Sequence, residues 1–500
     1  MNERRFTLLA LLLVAAVVLA ACGGGGAATV PTPQVIEKVV TQVVEKEVTT
    51  VVEKEVEKEV TKVVEKEVVV PGTTITFWST EEQPERAAAT QKILKRFTEQ
   101  SGINVELALT NEDALPSLVT AAVAAGTLPD VVFFPVDFAI GWAEQGILDP
   151  KAATQVINDL GKETFAQGPL NMVALEGNYA AVPTDGWGQL LIYRKDLFDK
   201  AGLDAPDTFD KIRAAAEKLN DPGNNFYGIT AATDPGAVFT QQTWEHFALA
   251  NGCQLVNDAG EVTLDSPQCV EAINFYADLM KNYAPAGVQD VVSTRATYFA
   301  GQAAMIVWSP FVLDEMAGLR DNAFPACPEC KEDPAYLAKN SGIVPAFVGP
   351  SGSEPAQYGQ VSYMGITANA DVAAAQEFLK FWFNEGYLDW LAVSVEGKLP
   401  MRQGTPEEPT KFIDGWKQLE TGVDRKARLG DIYGDEIINT LIQGAGSFDR
   451  WGFTQGQGAL VTAVYESLVV PKALSEVLGG TLTPEEAATE MAAAVRDLKE

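Results

Sequence analysis

Strand-like and helix-like segments alternate along the chain after residue 73, and this alternation restricts the possible folds more than any other feature. Short apolar runs predict strands, and the longer segments between them carry an apolar stripe at helical spacing. The alternation predicts an α/β fold in which a largely parallel sheet has helices on both faces. Ligands of such sheets bind beyond the carboxyl ends of the strands, here in the loops after Trp78 and Phe134. The predicted strands are 74–80, 103–109 and 131–134, and the predicted helices are 87–100 and 114–125.

The length and charge of the chain limit its organisation and its partners. A chain of 500 residues is too long for one hydrophobic core, so we expect two lobes with appendages. The formal net charge of -31 would repel nucleic acid and anionic lipid. We therefore expect no nucleic-acid partner, and contact with a membrane only through an anchor.

Residues 1–22 have the features of a bacterial export signal that ends in a lipidated cysteine. Arg4 and Arg5 supply the charged start, and the apolar run at 6–20 is too short to span a bilayer comfortably. The small residues before Cys22 resemble a lipobox, so we expect Cys22 to be lipidated and to hold the protein at the outer face of the membrane, or in the periplasm. The alternative is an ordinary signal peptide with a chance cysteine.

Residues 23–72 are predicted to form a linker and a stalk. After a glycine-rich linker, valine or isoleucine recurs at every fourth position, with Glu and Lys between. A four-residue step exceeds the ~3.6 residues of a helical turn, so the apolar stripe drifts around a helix. The tract is either a helical rod that raises the binding domain above the membrane or a solvated, partly disordered tether.

The cysteines other than Cys22 indicate disulfides. An even number of cysteines in an exported chain predicts two bonds. Turn residues between Cys253 and Cys269 favour a hairpin that joins them, which leaves Cys327 and Cys330 as a local pair. A four-cysteine zinc site and a redox CxxC are the alternatives. They are less favoured because no strand-to-helix transition surrounds the CxxC and the two pairs lie far apart in sequence.

Six stretches of the chain follow one another in an order that is typical of a known family. The fullest, 177–219, predicts a strand at 190–193 and a short helix that ends at Gly202. A longer helix follows, with Asp207 or Thr208 as its N-cap. The other five stretches are DVVFFPVDFAIGWAEQGILDP (130–150), FAGQAAMIVWSPF (299–311), DVAAAQEFLKFWF (371–383), GKLPMR (397–402) and TLTPEEAATEMAAAVRDL (481–498).

Together these stretches resemble the extracellular solute-binding proteins of carbohydrate ABC importers, the maltose-binding-protein-like family. The resemblance covers about 73–500 and implies a two-lobed, periplasmic-binding-protein-like fold of type II with hinge crossings. The crossings are expected near Trp187, near 360–366 and near 397–402. The expected N-lobe comprises 73–186 plus about 365–396, and the expected C-lobe comprises 187–360 plus about 400–500.

Candidate ligand residues follow from the resemblance and from the chemistry of sugars. A sugar ring needs flat aromatic faces against its C–H patch and planar polar groups for its hydroxyls. We predict such residues at strand ends and near the crossings, although any single aromatic is more often part of a core. The predicted ligand-binding residues are Trp78, Glu81, Phe134, Asp137, Trp187, Gln241, Trp244, Trp308, Phe311, Tyr363 and Arg402.

Motifs of catalysis are mostly missing from the sequence. Its single histidine, His246, excludes an HExxH zinc site and leaves little room for a histidine-assisted nucleophile. No GxSxG, SxxK or GxxxxGK motif occurs. A pair of catalytic carboxylates of the kind that glycosidases use is not excluded among the 68 acidic residues, although no motif identifies such a pair. We expect no enzyme, no metal and no cofactor.

The resemblance implies a lipid-anchored binding protein with a monomeric binding domain. It would capture a mono- or oligosaccharide in a cleft between the lobes and deliver it to the permease subunits of an ABC importer. A different small solute on the same scaffold is one alternative. A surface carbohydrate-binding or adhesion module without transport is a second, and an exported glycosidase is a third.

Overall fold

A computed structural model of the chain describes residues 72–444 and 448–499. The signal sequence, Cys22 and the tract up to residue 71 lie outside the described residues, so the anchor and the stalk stay predictions. Within the described ranges, no helix is both long enough and apolar enough to cross a membrane.

The larger of two main sheets has six strands in the order β11-β6-β10-β3-β1-β2. The three strands predicted from the alternation are its parallel part, because β1 pairs in parallel with both β2 and β3. The rest of the sheet is antiparallel, so the expected parallel arrangement holds only for this part. The strands are β1 (Thr74–Ser79), β2 (Asn104–Leu109), β3 (Val131–Pro135), β6 (Val182–Gly188), β10 (Gly359–Ile366) and β11 (Leu399–Pro400).

The smaller sheet has three antiparallel strands in the order β8-β7-β9 and forms the centre of the second lobe. Its strands are β7 (Leu190–Arg194), β8 (Met305–Trp308) and β9 (Ser341–Val344). Two two-stranded ribbons complete the strands of the described residues, and they consist of β4 (Ala174–Leu175), β5 (Asn178–Tyr179), β12 (Glu420–Thr421) and β13 (Ala427–Arg428).

The chain passes from the larger sheet to the smaller one after β6 and returns at β10. Strand β6 ends at Gly188 and β7 begins at Leu190, so one residue separates the sheets. The chain returns to the larger sheet at Gly359, which pairs with Gly188. A Cβ on Gly359 would lie 1.8 Å from Cγ of Phe448, so only glycine fits this close approach. The third expected crossing, 397–402, contains β11 at the edge of the larger sheet; the lobe boundaries stay a prediction.

The helices follow the predicted positions closely in the first part of the chain. Helix α1 begins at Pro84, earlier than predicted, because proline suits the first turn of a helix. Its apolar stripe, which includes Ile93 and Phe97, is buried, and Gly102 ends it in the left-handed conformation. The early helices are α1 (Pro84–Ser101), α2 (Leu115–Ala125), α3 (Ala139–Glu144), α4 (Pro150–Leu160) and α5 (Gln167–Met172).

The helices of the second lobe include the pair predicted after 190–193. Thr208 is the N-cap of the longer helix, and its hydroxyl accepts a hydrogen bond from the backbone N–H of Lys211. The second-lobe helices before the return are α6 (Lys195–Ala201), α7 (Phe209–Leu219), α8 (Val238–Ala250), α9 (Pro267–Asn282), α10 (Val291–Phe299), α11 (Val312–Met316) and α12 (Tyr336–Asn340). The remaining helices are α13 (Val372–Asn384), α14 (Tyr387–Leu391), α15 (Lys411–Trp416), α16 (Leu429–Gly444), α17 (Gly458–Ser467), α18 (Val469–Gly479) and α19 (Pro484–Lys499).

The cysteines of the described residues lie as two close pairs. The Cα atoms are 4.6 Å apart in the pair Cys253 and Cys269, and 5.0 Å apart in the pair Cys327 and Cys330. Both distances lie within the range of disulfides. The expected hairpin is present between the first pair, where Val256 pairs with Val262 in antiparallel fashion. Among the described residues, no group of three or more metal-ligating side chains could hold a metal ion.

Candidate functional site

A cavity of about 410 Å³ lies between the larger sheet and the smaller one. The larger sheet contributes the loop after β1, as the strand order predicts, together with the loop after β2 and side chains of β3, β6 and β10. The start of α8, helix α10 and the segment from β8 through α11 form the opposite wall. The site therefore receives side chains from both parts of the fold.

Four charged residues of the cavity wall form one ion cluster, which we call the cavity cluster: Glu81, Arg86, Asp185 and Lys398. Arg86 Nη1 lies 2.9 Å from Glu81 Oε2, and Lys398 Nζ lies 2.5 Å from Glu81 Oε1. Lys398 also lies 3.3 Å from Asp185 Oδ2. Each cation therefore has at least one carboxylate partner.

Local structure explains how these four residues meet. Glu81 follows β1, and Arg86 lies in the first turn of α1. Lys398 precedes β11, whose Pro400 pairs with Asp185 on β6. The indole of Trp390 supports the cluster from behind, because its Nε1 donates to Asp185 at 2.6 Å and its ring centroid lies 4.0 Å from Lys398 Nζ.

The cavity cluster shifts the acidity of its two carboxyl groups in opposite directions. Burial would raise the pKa of Glu81, but the adjacent Lys398 and Arg86 together lower that pKa from 4.5 to about 2. Burial raises the pKa of Asp185, and Lys398 only partly opposes this effect. Glu81 is therefore firmly ionised at neutral pH.

The opposite wall carries a second set of paired charges. Arg295 on α10 lies 2.7 Å from Glu315 on α11. Arg320 contacts Glu85 of the first lobe and lies 3.8 Å from Asp314. The cations of the cavity wall are therefore all held by carboxylates, which leaves a polar surface rather than a site for a free anion.

Two pairs of aromatic rings complete the cavity wall. Trp187 and Phe311 contact each other edge to face, with ring centroids 6.4 Å apart. Phe239 and Trp308 are tilted against each other at 5.3 Å. In each pair the phenylalanine is half-buried and the tryptophan is almost fully buried, so the tryptophan supports a partly open phenyl ring.

Four of the eleven predicted ligand residues line this cavity: Glu81, Trp187, Trp308 and Phe311. Trp78 is partly buried and packs against buried apolar residues outside the cavity. The other aromatic candidates are in the cores. Phe134 packs on Trp142, Trp244 packs on Trp451, and the hydroxyl of Tyr363 donates to the carbonyl of Pro169.

The remaining three candidates are buried away from the cavity. Arg402 donates to the backbone carbonyls of Phe383 at 2.7 Å and of Leu160 at 2.8 Å. Gln241 on α8 is fully buried, and neither of its amide atoms has a partner among the described residues. Asp137 follows β3 as the sequence predicts, but its carboxylate contacts Arg450.

Asp137 belongs to a second ion cluster, which we call the enclosed cluster: Asp137, Glu245, Gln360, Arg450 and Tyr465. Arg450 contacts Asp137 and lies 3.2 Å from Glu245 Oε1. The guanidinium also donates to Gln360 Oε1 at 2.9 Å. Gln360 Nε2 donates to Asp137 at 2.8 Å, and the hydroxyl of Tyr465 donates to Glu245 at 2.6 Å. Of its members, only Gln360 also lines the cavity.

Sequence reasoning missed most of the cavity residues, among them Arg86, Asp185, Phe239, Arg295, Glu315 and Lys398. Some signals were available. Arg86 comes just after the loop that follows the predicted strand 74–80. Asp185 is two residues before Trp187, and Lys398 lies in the GKLPMR stretch. No local signal marks Phe239, Arg295 or Glu315, because their place at the site depends on how the second lobe packs.

Comparisons with known proteins agree with this architecture. YcjN of Escherichia coli, a protein assigned to an ABC transporter as its periplasmic-binding component, is 30% identical over 415 residues, which cover 81% of this chain and 90% of YcjN. The structure of T. maritima MalE3 with bound maltose has a TM-score of 0.65 at 20% identity and covers 85% of this chain and 100% of that one. A sugar transporter protein from Arthrobacter chlorophenolicus with bound laminaribiose has a TM-score of 0.66 at 19% identity and covers 85% and 99%.

The two structural likenesses establish the two-lobed α/β fold of a periplasmic binding protein. The family model of the bacterial extracellular solute-binding protein matches residues 80–388, which is more than half of the chain. That match contains β2, β3, β6 and β10 of the larger sheet, the whole smaller sheet and most of the cavity wall. The chain belongs to the bacterial extracellular solute-binding proteins.

Proposed function

We propose that the protein captures a sugar in the cavity between its two sheets and delivers it to the permease of an ABC importer. The observation that carries this proposal is the cavity wall, which combines two aromatic pairs with carboxylates and cations that hold one another in place. Aromatic faces bind the C–H patches of a sugar, and fixed planar polar groups bind its hydroxyls. The maltose and laminaribiose bound by the two structural relatives support the same class of ligand.

The position of the cavity suggests how the permease distinguishes the ligand-bound protein from the free one. A ligand that contacts both walls binds more tightly when the lobes approach each other, and it therefore favours the closed form. The closed form then docks on the permease. Small-angle scattering with and without sugar tests this step, and an unchanged radius of gyration at saturating sugar would contradict it.

We further propose that Cys22 anchors the protein by lipid to the outer face of the membrane. The lipobox-like sequence before Cys22 supports this proposal. Cys22→Ser should move the protein from the membrane fraction to the soluble fraction of the producing cell. A protein that stays soluble with Cys22 intact would contradict the anchor.

The two close cysteine pairs are proposed to be disulfides in the exported protein. Closing the loop between Cys253 and Cys269 would contribute about 3 kcal/mol to the free energy of unfolding. Thiol labelling under denaturing, non-reducing conditions should modify none of the four cysteines. Labelling before reduction would contradict the proposal.

The function itself is tested by measuring sugar binding to the purified protein. Calorimetry or tryptophan fluorescence across a panel of sugars should identify at least one ligand. Trp187→Ala and Trp308→Ala should each weaken its affinity at least tenfold, because each removes an aromatic surface of the cavity. Phe324→Ala, which removes an exposed aromatic ring outside the cavity, is the matched control. Unchanged affinity in both tryptophan variants would place the site elsewhere, and release of a cleaved sugar would indicate a glycosidase instead.

A further inference from the structure

We propose that Tyr358 is a positioning residue for sugar recognition, because its ring holds the indole of Trp187 in the orientation that this indole has in the cavity wall. The inference rests on the proposed function, since it concerns how an aromatic surface of the same cavity is held. Tyr358 is fully buried and does not line the cavity, whereas Trp187 does. Tyr358 therefore acts on the sugar only through Trp187.

Among the described residues, two aromatic rings contact the indole of Trp187. The ring centroid of Phe311 lies 6.4 Å from that of Trp187, and the ring centroid of Tyr358 lies 6.1 Å from it. Both distances are typical of aromatic pairs. Phe311 is half-buried and is itself part of the cavity wall, so a sugar can contact it directly. Tyr358 lies behind the wall, so it can support the indole whether or not a sugar is bound.

The backbone register places Tyr358 beside Trp187. Gln360 on β10 pairs directly with Trp187 on β6, and Tyr358 comes two residues before Gln360. Alternate residues of an extended chain share one face, and a diagonal neighbour on that face is within reach of an aromatic side chain. The carbonyl of Tyr358 also accepts a hydrogen bond from the N–H of Gln189 at 2.9 Å, so the pairing of the two segments continues to this position. The ring contact therefore follows from the register of the two segments.

The side chain of Tyr358 is itself held by two members of the enclosed cluster. Its hydroxyl donates to Gln360 Oε1 at 2.8 Å, and Cζ of Arg450 lies 4.7 Å from its ring centroid. Burial raises the pKa of Tyr358 well above its ordinary value, so the hydroxyl keeps the proton that it donates. Tyr358 thus connects the enclosed cluster, which has no ligand contact of its own through Arg450, to an aromatic surface of the cavity.

A fixed indole increases affinity because it does not have to be ordered when the sugar binds. A side chain that is mobile in the free protein loses conformational entropy on binding, and this loss reduces affinity. With Tyr358 present, Trp187 is already held in the free protein. Removing the ring of Tyr358 should therefore weaken sugar binding although no group that touches the sugar has been removed.

The first experiment needs no sugar. In the full-length mature protein labelled with 5-fluorotryptophan, fluorine NMR gives a resonance for each tryptophan, and Trp187→Phe identifies the one from Trp187. Tyr358→Leu should shift and broaden this resonance, whereas Tyr358→Phe, which keeps the ring, should not broaden it. Tyr276→Leu is the matched control, because Tyr276 is equally buried but packs on Phe247 and does not line the cavity. The same shift and width in both leucine variants would overturn the proposal.

The second experiment measures affinity for maltose and for laminaribiose by calorimetry. Tyr358→Leu should weaken binding about fivefold or more, and Tyr276→Leu should not. Because Tyr358 acts through Trp187, adding Tyr358→Leu to Trp187→Ala should cause no further loss, and a further fivefold loss would overturn the proposal.

Circular dichroism confirms that each variant is folded, and Tyr358→Met replaces Tyr358→Leu in both experiments if the leucine variant does not fold. If neither sugar binds the wild-type protein, the proposed function loses these two ligands, while the fluorine spectra still decide whether Tyr358 positions Trp187.

Discussion

The cavity cluster and the enclosed cluster use the same chemistry in two different settings. Each has a cation between carboxylates, with Lys398 between Glu81 and Asp185 in one, and Arg450 between Asp137 and Glu245 in the other. The first cluster lines the cavity, while the charged groups of the second do not. Buried ion pairs are therefore no sign of a ligand site by themselves, and what distinguishes the two is access to the cavity.

The difference has an energetic consequence. Removing one partner from a buried ion pair leaves the other charge without compensation, at a typical cost of about 3–5 kcal/mol. Arg450 is the only cation that contacts Asp137 or Glu245 among the described residues, whereas Glu81 has two cationic partners. We therefore expect changes in the enclosed cluster to reduce stability first, and changes in the cavity cluster to reduce affinity as well.

The largest effect is expected for Arg450→Met. This variant leaves Asp137 and Glu245 buried without a cation, so the free energy of unfolding in urea should fall by about 3–5 kcal/mol. Arg425→Met is the matched control, because the Arg425–Asp321 pair is exposed and should contribute about 1 kcal/mol or less. Equal losses in the two variants would remove the distinction between an enclosed and an exposed pair.

The second prediction concerns the pH dependence of the cavity cluster. The pKa of Glu81 is about 2 in the folded protein and 4.5 ordinarily, so its carboxylate stabilises the fold above pH 4.5 and loses that contribution as the pH falls towards 2. At ~1.4 kcal/mol for each tenfold change in acidity constant, the contribution is roughly 3 kcal/mol. Glu81→Gln should lose less stability than the wild-type protein over this interval. If the free energy of unfolding fell by the same amount in the two proteins as the pH is lowered over this interval, the pKa of Glu81 would not be lowered.

A smaller effect, on affinity, is expected for Arg86→Met. Glu81 keeps Lys398 as a partner in this variant, so the protein should fold, while its affinity for the sugar should fall at least tenfold, or by about 1.4 kcal/mol. Arg96→Met is the control on the same helix, since Arg96 pairs with Asp389 outside the cavity. If both variants bound sugar equally well, the cavity cluster would have no part in recognition.

The smallest effect is expected for Gln241→Met. The amide of Gln241 is buried without a partner among the described residues, so an apolar side chain of similar size should leave the free energy of unfolding unchanged or raise it slightly. Affinity for the sugar should not change, because Gln241 does not line the cavity. A tenfold loss of affinity would instead restore the ligand role that the sequence suggested.

Local patterns were sufficient to predict much of the fold. The apolar run predicted at 131–134 is strand β3, and the expected N-cap at Thr208 is present. These features depend on neighbouring residues, whose spacing and capping chemistry are visible in a sequence. The mixed direction of the larger sheet was not predicted, because it depends on β10 returning from the second lobe.

The site was harder to predict than the fold. Trp187 and Trp244 are both tryptophans in the expected regions, yet one lines the cavity and the other packs on Trp451 away from it. Asp137 was predicted from its place after β3, but its partner Arg450 is 313 residues away in the sequence. Whether a buried polar or aromatic group meets ligand or protein depends on such distant partners, which local spacing does not specify.

Gln360 joins the enclosed cluster to the cavity wall, and this matters for anyone who would convert the protein into a sugar sensor. Its amide bonds both Asp137 and Arg450, while the same residue lines the cavity. Substitutions at Tyr465 or Glu245, which contact Arg450 and lie outside the cavity wall, would therefore alter the support of Gln360 and leave the residues that line the cavity unchanged.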